Sequence, residues 1–284
     1  MLVATGFTKT TELIHLDSTP TQCILEDYPL NVFGAVGWLS EEGITICGGE
    51  NSDNYNAVKD CYTLKDNQWK QWPSMTTPRA YASTIKINAT QTLILGGFDG
   101  NYDLSSTEMV NSNGGVRYKD LPWTLSFSCI IKINETMGLI TGGFQDGIRS
   151  ETHFMNLQTL DVTSGPRMQT ERSSHGCATF HFGSKTYAVV SGGWYGNRVL
   201  DSTEILDLEQ SNPTWTVGKQ EKNKFLRPTL GQKSSIYPKI HIFKTSFFAK
   251  FTFLNLIFRK INIFQTSNSR EFLDKMFFCP SVFR

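Results

Sequence analysis

Histidines, cysteines, carboxylates and arginines are the side chains most able to do chemistry, and their spacing decides what chemistry is open to them. The five histidines, His15, His153, His175, His181 and His241, form no metal-ligand spacing. His175 and His181 fall six residues apart on what reads as one strand. That even offset shares a face but separates them by about 20 Å at the usual rise of a strand. His175 reads instead as a strand-end residue closing a turn. The six cysteines, at positions 23, 47, 61, 129, 177 and 279, include no Cys-x-x-Cys pair, which argues against a zinc site. No Gly-x-Ser-x-Gly elbow, phosphate loop or dinucleotide fingerprint occurs. A glycan-cleaving pocket would need clustered arginines and carboxylates, and only Arg79, Arg149, Arg172 and Arg198 offer themselves. The expectation is a chain without catalytic residues, bound metal or cofactor.

Recognition chemistry is better represented. Four turn-rich segments, Asn51–Lys59, Phe98–Leu104, Phe144–Ser150 and Trp194–Leu200, contain Tyr55, Asp99, Asn101, Tyr102, Gln145, Arg149, Trp194, Tyr195, Asn197 and Arg198. Tyr, Trp and Arg on loops carried by a rigid scaffold combine large contact area with directional hydrogen bonds. Arg79 and Arg172 open two further segments. They read either as binding residues or as structural bridges that bond loop carbonyls.

The elements that hold these loops form a repeat. Gly-Gly doublets end short apolar runs at Gly48-Gly49, Gly96-Gly97, Gly142-Gly143 and Gly192-Gly193, at spacings of 48, 46 and 50 residues. A degenerate fifth copy, Leu2-Val-Ala-Thr-Gly6, opens the chain. Ser106-Thr-Glu108 and Ser202-Thr-Glu204 follow their doublets in phase, and Trp69, Trp215, Pro78-Arg79 and Glu171-Arg172 keep the same order. Each unit reads as four short strands, in the clearest case 80–87, 91–95, 105–111 and 116–121. The second is a continuous apolar run, as expected when both faces are buried. One four-stranded sheet cannot bury both faces alone. Radial packing of several sheets buries them and protects their edges, so the fold class is all-β, a β-propeller of antiparallel blades.

The doublets, the Ser-Thr-Glu strands, the Trp and the Arg together make residues 1–224 resemble the kelch-repeat family, whose period is about 50 residues. Cys47-Gly-Gly, Asp60-Cys61-Tyr62, Arg79-Ala-Tyr-Ala-Ser83 and His175-Gly-Cys177 most resemble the secreted kelch-type proteins of arthropods. The unit holding Ser126–Ser128 lacks the arginine, and its outer strand lacks Trp. About five units are recognisable, three strands in residues 2–28 and then four full blades. The resemblance implies six or seven, so the propeller is expected to be incomplete. It also implies that the matching arginines can grip acidic peptide groups, and that the function is non-catalytic binding of a protein or peptide through one face. The alternatives are an intracellular adaptor that recognises substrates for a ubiquitin ligase, against which strands starting at Leu2 leave no helical region upstream, and an oxidase-type propeller enzyme, whose Tyr/His/Cys set these spacings do not assemble.

Cys47 ends a second strand and Cys61 starts the adjacent third, a geometry within disulfide reach. Cys129 and Cys177 occupy nearly equivalent first-strand positions and form a second candidate pair. The alternative is that all are small buried hydrophobes. Asn88-Ala-Thr90 and Asn134-Glu-Thr136 are glycosylation acceptor patterns in equivalent turns, 46 residues apart. Cysteine pairs and acceptor sites favour an extracellular compartment, with a cytoplasmic protein as the alternative, although residues 1–22 lack the features of a secretory signal.

Composition changes near Lys224. Residues 225–284 hold 12 of the 20 phenylalanines, one glycine, and ten Lys/Arg against two acids, a charge of +8. Residues 1–224 carry 17 basic and 24 acidic side chains, a charge of −7. The Phe/Lys-rich tail is expected to lie outside the native repeat, its residue types matching translated non-coding sequence. A membrane-surface segment at 247–264 is the functional alternative. The longest uncharged run there, Phe251–Phe258, is too short to span a bilayer. With a net charge of +1 overall, nucleic acid is not an expected partner.

Overall fold

Short apolar runs bounded by Gly, Asn, Asp and Pro can only build short strands, and pairing by short turns makes each sheet antiparallel. A computed structural model describes residues 2–4, 9, 11–13 and 25–218. Four four-stranded sheets follow one another along the chain, each with its strands in sequence order. The first is Val36–Leu39, Ile44–Cys47, Cys61–Lys65 and Gln68–Trp72. The second is Ser83–Lys86, Thr92–Leu95, Thr107–Asn111 and Gly114–Arg117. The third is Cys129–Lys132, Met137–Thr141, Thr152–Asn156 and Val162–Ser164. The fourth is Gly176–Phe182, Lys185–Ser191, Thr203–Asp207 and Trp215–Val217. First strands of successive sheets lie side by side, so the sheets are propeller blades about a common axis. No helix occurs among the described residues.

Packing is between neighbours. Val36, Trp72, Ile94 and Val110 fill the space between blades one and two. Leu93, Leu95, Ile140 and Met155 fill that between two and three. Leu139, Val190, Leu206 and Trp215 fill that between three and four. Thr92–Leu95 is buried at all four positions, as a strand covered on both faces must be.

Strand bounds in blade two differ from the sequence expectation: the second and third strands start at Thr92 and Thr107, not 91 and 105, and the fourth ends at Arg117, not 121. The fourth strand of blade two starts at Gly114, not 116, because the Asn111 carboxamide accepts the N–H of Asn113 and reverses the chain at once. Its first strand is Ser83–Lys86, shorter than 80–87, because Ala80 bridges Phe98 in a loop instead. In the opening unit Leu2–Ala4 and Thr11–Leu13 pair antiparallel, and Leu25 and Tyr28 are buried in a cluster with blade one. Most of the segment expected to complete that unit, and all of the Phe/Lys-rich tail, lie outside the described residues.

Candidate functional site: the doublet face

The glycine doublets create one face of the molecule. In each, both residues have positive φ, 68° and 101° at Gly48 and Gly49, a region open to glycine at little cost. The second N–H of three doublets crosses to the next unit: Gly49 donates to the Arg79 carbonyl at 2.8 Å, Gly97 to Leu125 at 2.7 Å and Gly143 to Arg172 at 2.9 Å. A Cβ at Gly96 would lie 2.0 Å from the Leu125 oxygen. Loops leaving the doublets and loops entering the next first strand are thereby locked together.

A second belt runs closer to the axis. Gly34, Tyr81, Phe127 and Ser174 occupy equivalent positions ahead of the four first strands, all with φ between 53° and 67°. The Tyr81 N–H donates to Gly34 O at 2.7 Å, Phe127 to Tyr81 O at 2.9 Å, and Ser174 to Phe127 O at 2.8 Å. Positive φ is uncommon for bulky residues, and here each strained residue is held by its neighbour. The rings follow the backbone. Phe127 stacks on Tyr81 with centroids 4.1 Å apart, and Phe33 lies 6.1 Å from Tyr81. A Cβ at Gly34 would meet the Tyr81 ring at 2.5 Å. The result is an aromatic staircase of half-buried rings, ending at Ser174. Tyr81 donates its hydroxyl to Glu50 Oε2 at 2.9 Å. Burial and that bond raise its pKa well beyond the ordinary phenol range.

The rim outside the staircase carries the residues singled out from sequence. Tyr55, Tyr102 and Tyr195 are exposed by 67%, 74% and 46%. Asn101, Asn197 and Arg198 are exposed and Trp194 is half-buried. Two of the set serve their own loops: Asp99 Oδ1 accepts the N–H groups of Asn101 and Tyr102, each at 2.8 Å, and Arg149 donates through Nε and Nη2 to the Gln145 carbonyl. Among the residues of this face that sequence reasoning passed over are the staircase rings Phe33, Tyr81 and Phe127, with Glu50 beside them. Only the repeated position of Phe127 two residues before Cys129, matching Tyr81 two before Ser83, could have signalled them.

Arg79 and Arg172 are elsewhere. Their exposure is 1% and 0%, so the ligand-gripping alternative gives way to the structural one. Arg79 Nε meets Glu108 Oε1 at 3.0 Å, Nη1 donates to the carbonyls of Gly96 and Ser106, and Nη2 to Ser106 Oγ. Arg172 Nη2 meets Glu204 Oε1 at 2.7 Å, and the guanidinium also bonds Gly192 O, Ser202 O and Ser202 Oγ. Each glutamate also accepts two backbone N–H groups, Thr76 and Thr77 at Glu108, Gln169 and Thr170 at Glu204. Burial alone would raise the Glu108 pKa; the Thr76 N–H and the Arg79 charge outweigh it and hold it below the ordinary carboxylate value. Blade three has Leu125 and His153 in the equivalent places, and blade one has Val32 and Tyr62. Arginine and glutamate are thus present together or absent together.

The remaining histidines are also accounted for locally. His175, fully buried just before blade four's first strand, has Nε2 2.8 Å from Thr141 Oγ1 of blade three. His181 Nδ1 lies 3.1 Å from Thr186 Oγ1. His153 packs on Trp123 at 4.3 Å, and burial lowers its pKa. His15 and His241 fall outside the described residues. Among the described residues no cluster of three His, Cys, Asp or Glu is placed to hold a metal ion, and no helix is long and apolar enough to cross a membrane.

Both candidate cysteine pairs are disulfides. Cys47–Cys61 joins directly opposed residues of blade one, Cα atoms 4.1 Å apart. Cys129–Cys177 joins the first strands of blades three and four, Cα atoms 6.0 Å apart. Asn88 and Asn134 sit in exposed turns on the far side from the doublets. In each, the carboxamide oxygen accepts from the hydroxyl of the acceptor threonine, Thr90 at 3.2 Å and Thr136 at 3.1 Å. No family model and no curated protein matches the sequence.

Proposed function

We propose that this chain is a non-catalytic interaction scaffold of kelch type, binding a protein or peptide through the doublet face. The observation that carries this reading is the exposed aromatic rim, Tyr55 and Tyr102 on loops whose bases are fixed by inter-blade hydrogen bonds and Tyr195 on a loop pinned at its base to Ser173 of its own unit. Large aromatic surface on a rigid base supports tight recognition because few side-chain rotors are frozen on binding. The chain works outside the cell in this reading. Two disulfides support an oxidising compartment, and the exposed Asn88 and Asn134 turns support glycosylation on the face away from the ligand. Nothing in the reading calls for a catalytic group or cofactor.

The test is affinity capture from extracellular fluid with the wild-type chain and with a Tyr55→Ala, Tyr102→Ala, Tyr195→Ala triple variant of unchanged melting temperature. A partner retained by the wild type and lost by the variant is the expected result. Equal retention by both would remove the face from the function.

A further inference from the structure

The doublet face has a chemical bias that its arginines at first conceal. Arg79 and Arg172 are buried and paired with Glu108 and Glu204, and the Arg149 guanidinium bonds the Gln145 carbonyl within its own loop. Segments 50–60, 98–104, 144–150 and 194–201 contain seven carboxylates against three basic residues, Lys59, Arg149 and Arg198. A ligand arriving here meets net negative charge and aromatic rings. One carboxylate, Glu50, stands at the staircase itself, 2.9 Å from the Tyr81 hydroxyl.

Aromatic faces beside carboxylates attract cations twice, through the ring quadrupole and through charge. A guanidinium adds a plane that stacks on a ring. The staircase supplies a place for it: rings from blades two and three stack on each other, and blade four contributes only Ser174 at the next step. Among the described residues the opposite side lacks this set. Of its turn residues, Leu39 and Phe182 are the large exposed apolar ones.

Resting on the interaction-face reading above, we propose that the mouth of the propeller binds an extended peptide segment bearing arginine or lysine, its cationic side chain stacking at Phe127 and its charge facing Glu50 and the loop carboxylates. An acidic ligand meets repulsion at the same place.

The experiment uses the full chain and three fluorescent nine-residue peptides in which glycine alternates with arginine, glutamine or glutamate, followed by anisotropy. The arginine peptide is expected to bind, with affinity falling as salt rises. Glu50→Gln, which keeps the acceptor for Tyr81, and Phe127→Leu, which keeps an apolar side chain, are each expected to weaken it about tenfold. Phe182→Ala on the far side leaves it unchanged. The proposal is overturned if the glutamate or glutamine peptide binds as well, if none binds, or if neither mouth variant weakens the arginine peptide. Should that happen while the triple rim variant still loses its captured partner, the interaction face stands and only its cationic preference falls; equal capture by both forms removes the face itself.

Discussion

At the scale of single residues, the pairing of Arg79 with Glu108 is the arrangement most sensitive to change. Both side chains are wholly buried, and taking one away leaves an uncompensated charge in a place water does not reach. Arg79→Ala is therefore expected to lose about 3–5 kcal/mol in urea unfolding. The double variant Arg79→Leu, Glu108→His copies what blade three already has at Leu125 and His153, and should recover a large part of that loss. If the double variant is as unstable as the single, the charge is not what the site needs. The pair also sets an acid limit. The folded-state pKa of Glu108 is depressed, so its contribution is complete above the unfolded value of about 4.3 and drains away as pH falls through the lower folded value. Unfolding of Glu108→Gln, followed from pH 5 downward, should show a flatter decline than the wild type. Sequence offered only part of this: the arginines read there as candidate bridges to loop carbonyls, as the bonds to Gly96 O and Ser106 O prove them to be, but not as partners of a glutamate. A strand-opening arginine looks the same whether it faces solvent or a buried carboxylate, and Arg79 and Glu108 stand 29 positions apart. The matched presence and absence of the two residue types across four units was the one readable hint.

At the scale of strands and turns, the two disulfides do different jobs. Cys47–Cys61 closes a 14-residue separation inside one sheet, whereas Cys129–Cys177 closes 48 residues and ties two sheets together. Loop-closure entropy gives about 3 and about 4 kcal/mol respectively. Cys129→Ser should accelerate hydrogen exchange across both blades three and four, and Cys47→Ser only within blade one. Exchange confined to one blade in both variants would refute the inter-sheet role. The acceptor turns carry a separate expectation: on secretion from a glycosylating host, peptide mapping should find glycan on Asn88 and Asn134, and unmodified asparagine at both would count against the extracellular reading. Strand identity was readable here because Gly-Gly, Asn and Asp punctuate apolar runs with a fixed period. Strand ends were less so, since Asn111 closes its turn through its own side chain, two residues before apolar patterning resumes.

At the scale of the whole molecule, the repeat made the propeller legible, and the tyrosines of its rim could be placed on one face from loop order alone. The mouth could not be placed so. Its core is four consecutive left-handed residues, of which only Gly34 is a type that advertises such a backbone; Tyr81, Phe127 and Ser174 adopt it because adjoining blades hold them there. Replacing Ser174 by Gly should keep the belt and raise stability by a few tenths of a kcal/mol, while Ser174→Val should destabilise the fourth blade, as thermal melts would register. The belt also has a direction. Tyr81, Phe127 and Ser174 each give their proton to a carbonyl made earlier in the chain, and Lys86 and Lys132 likewise reach back to Leu39 and Ile87. A ribosome releases this protein amino end first. Every acceptor in that series is therefore waiting before its donor emerges, while the doublet N–H groups of Gly49, Gly97 and Gly143 wait for carbonyls made later, so each new sheet of the growing polypeptide completes pairs of both directions on the one before it.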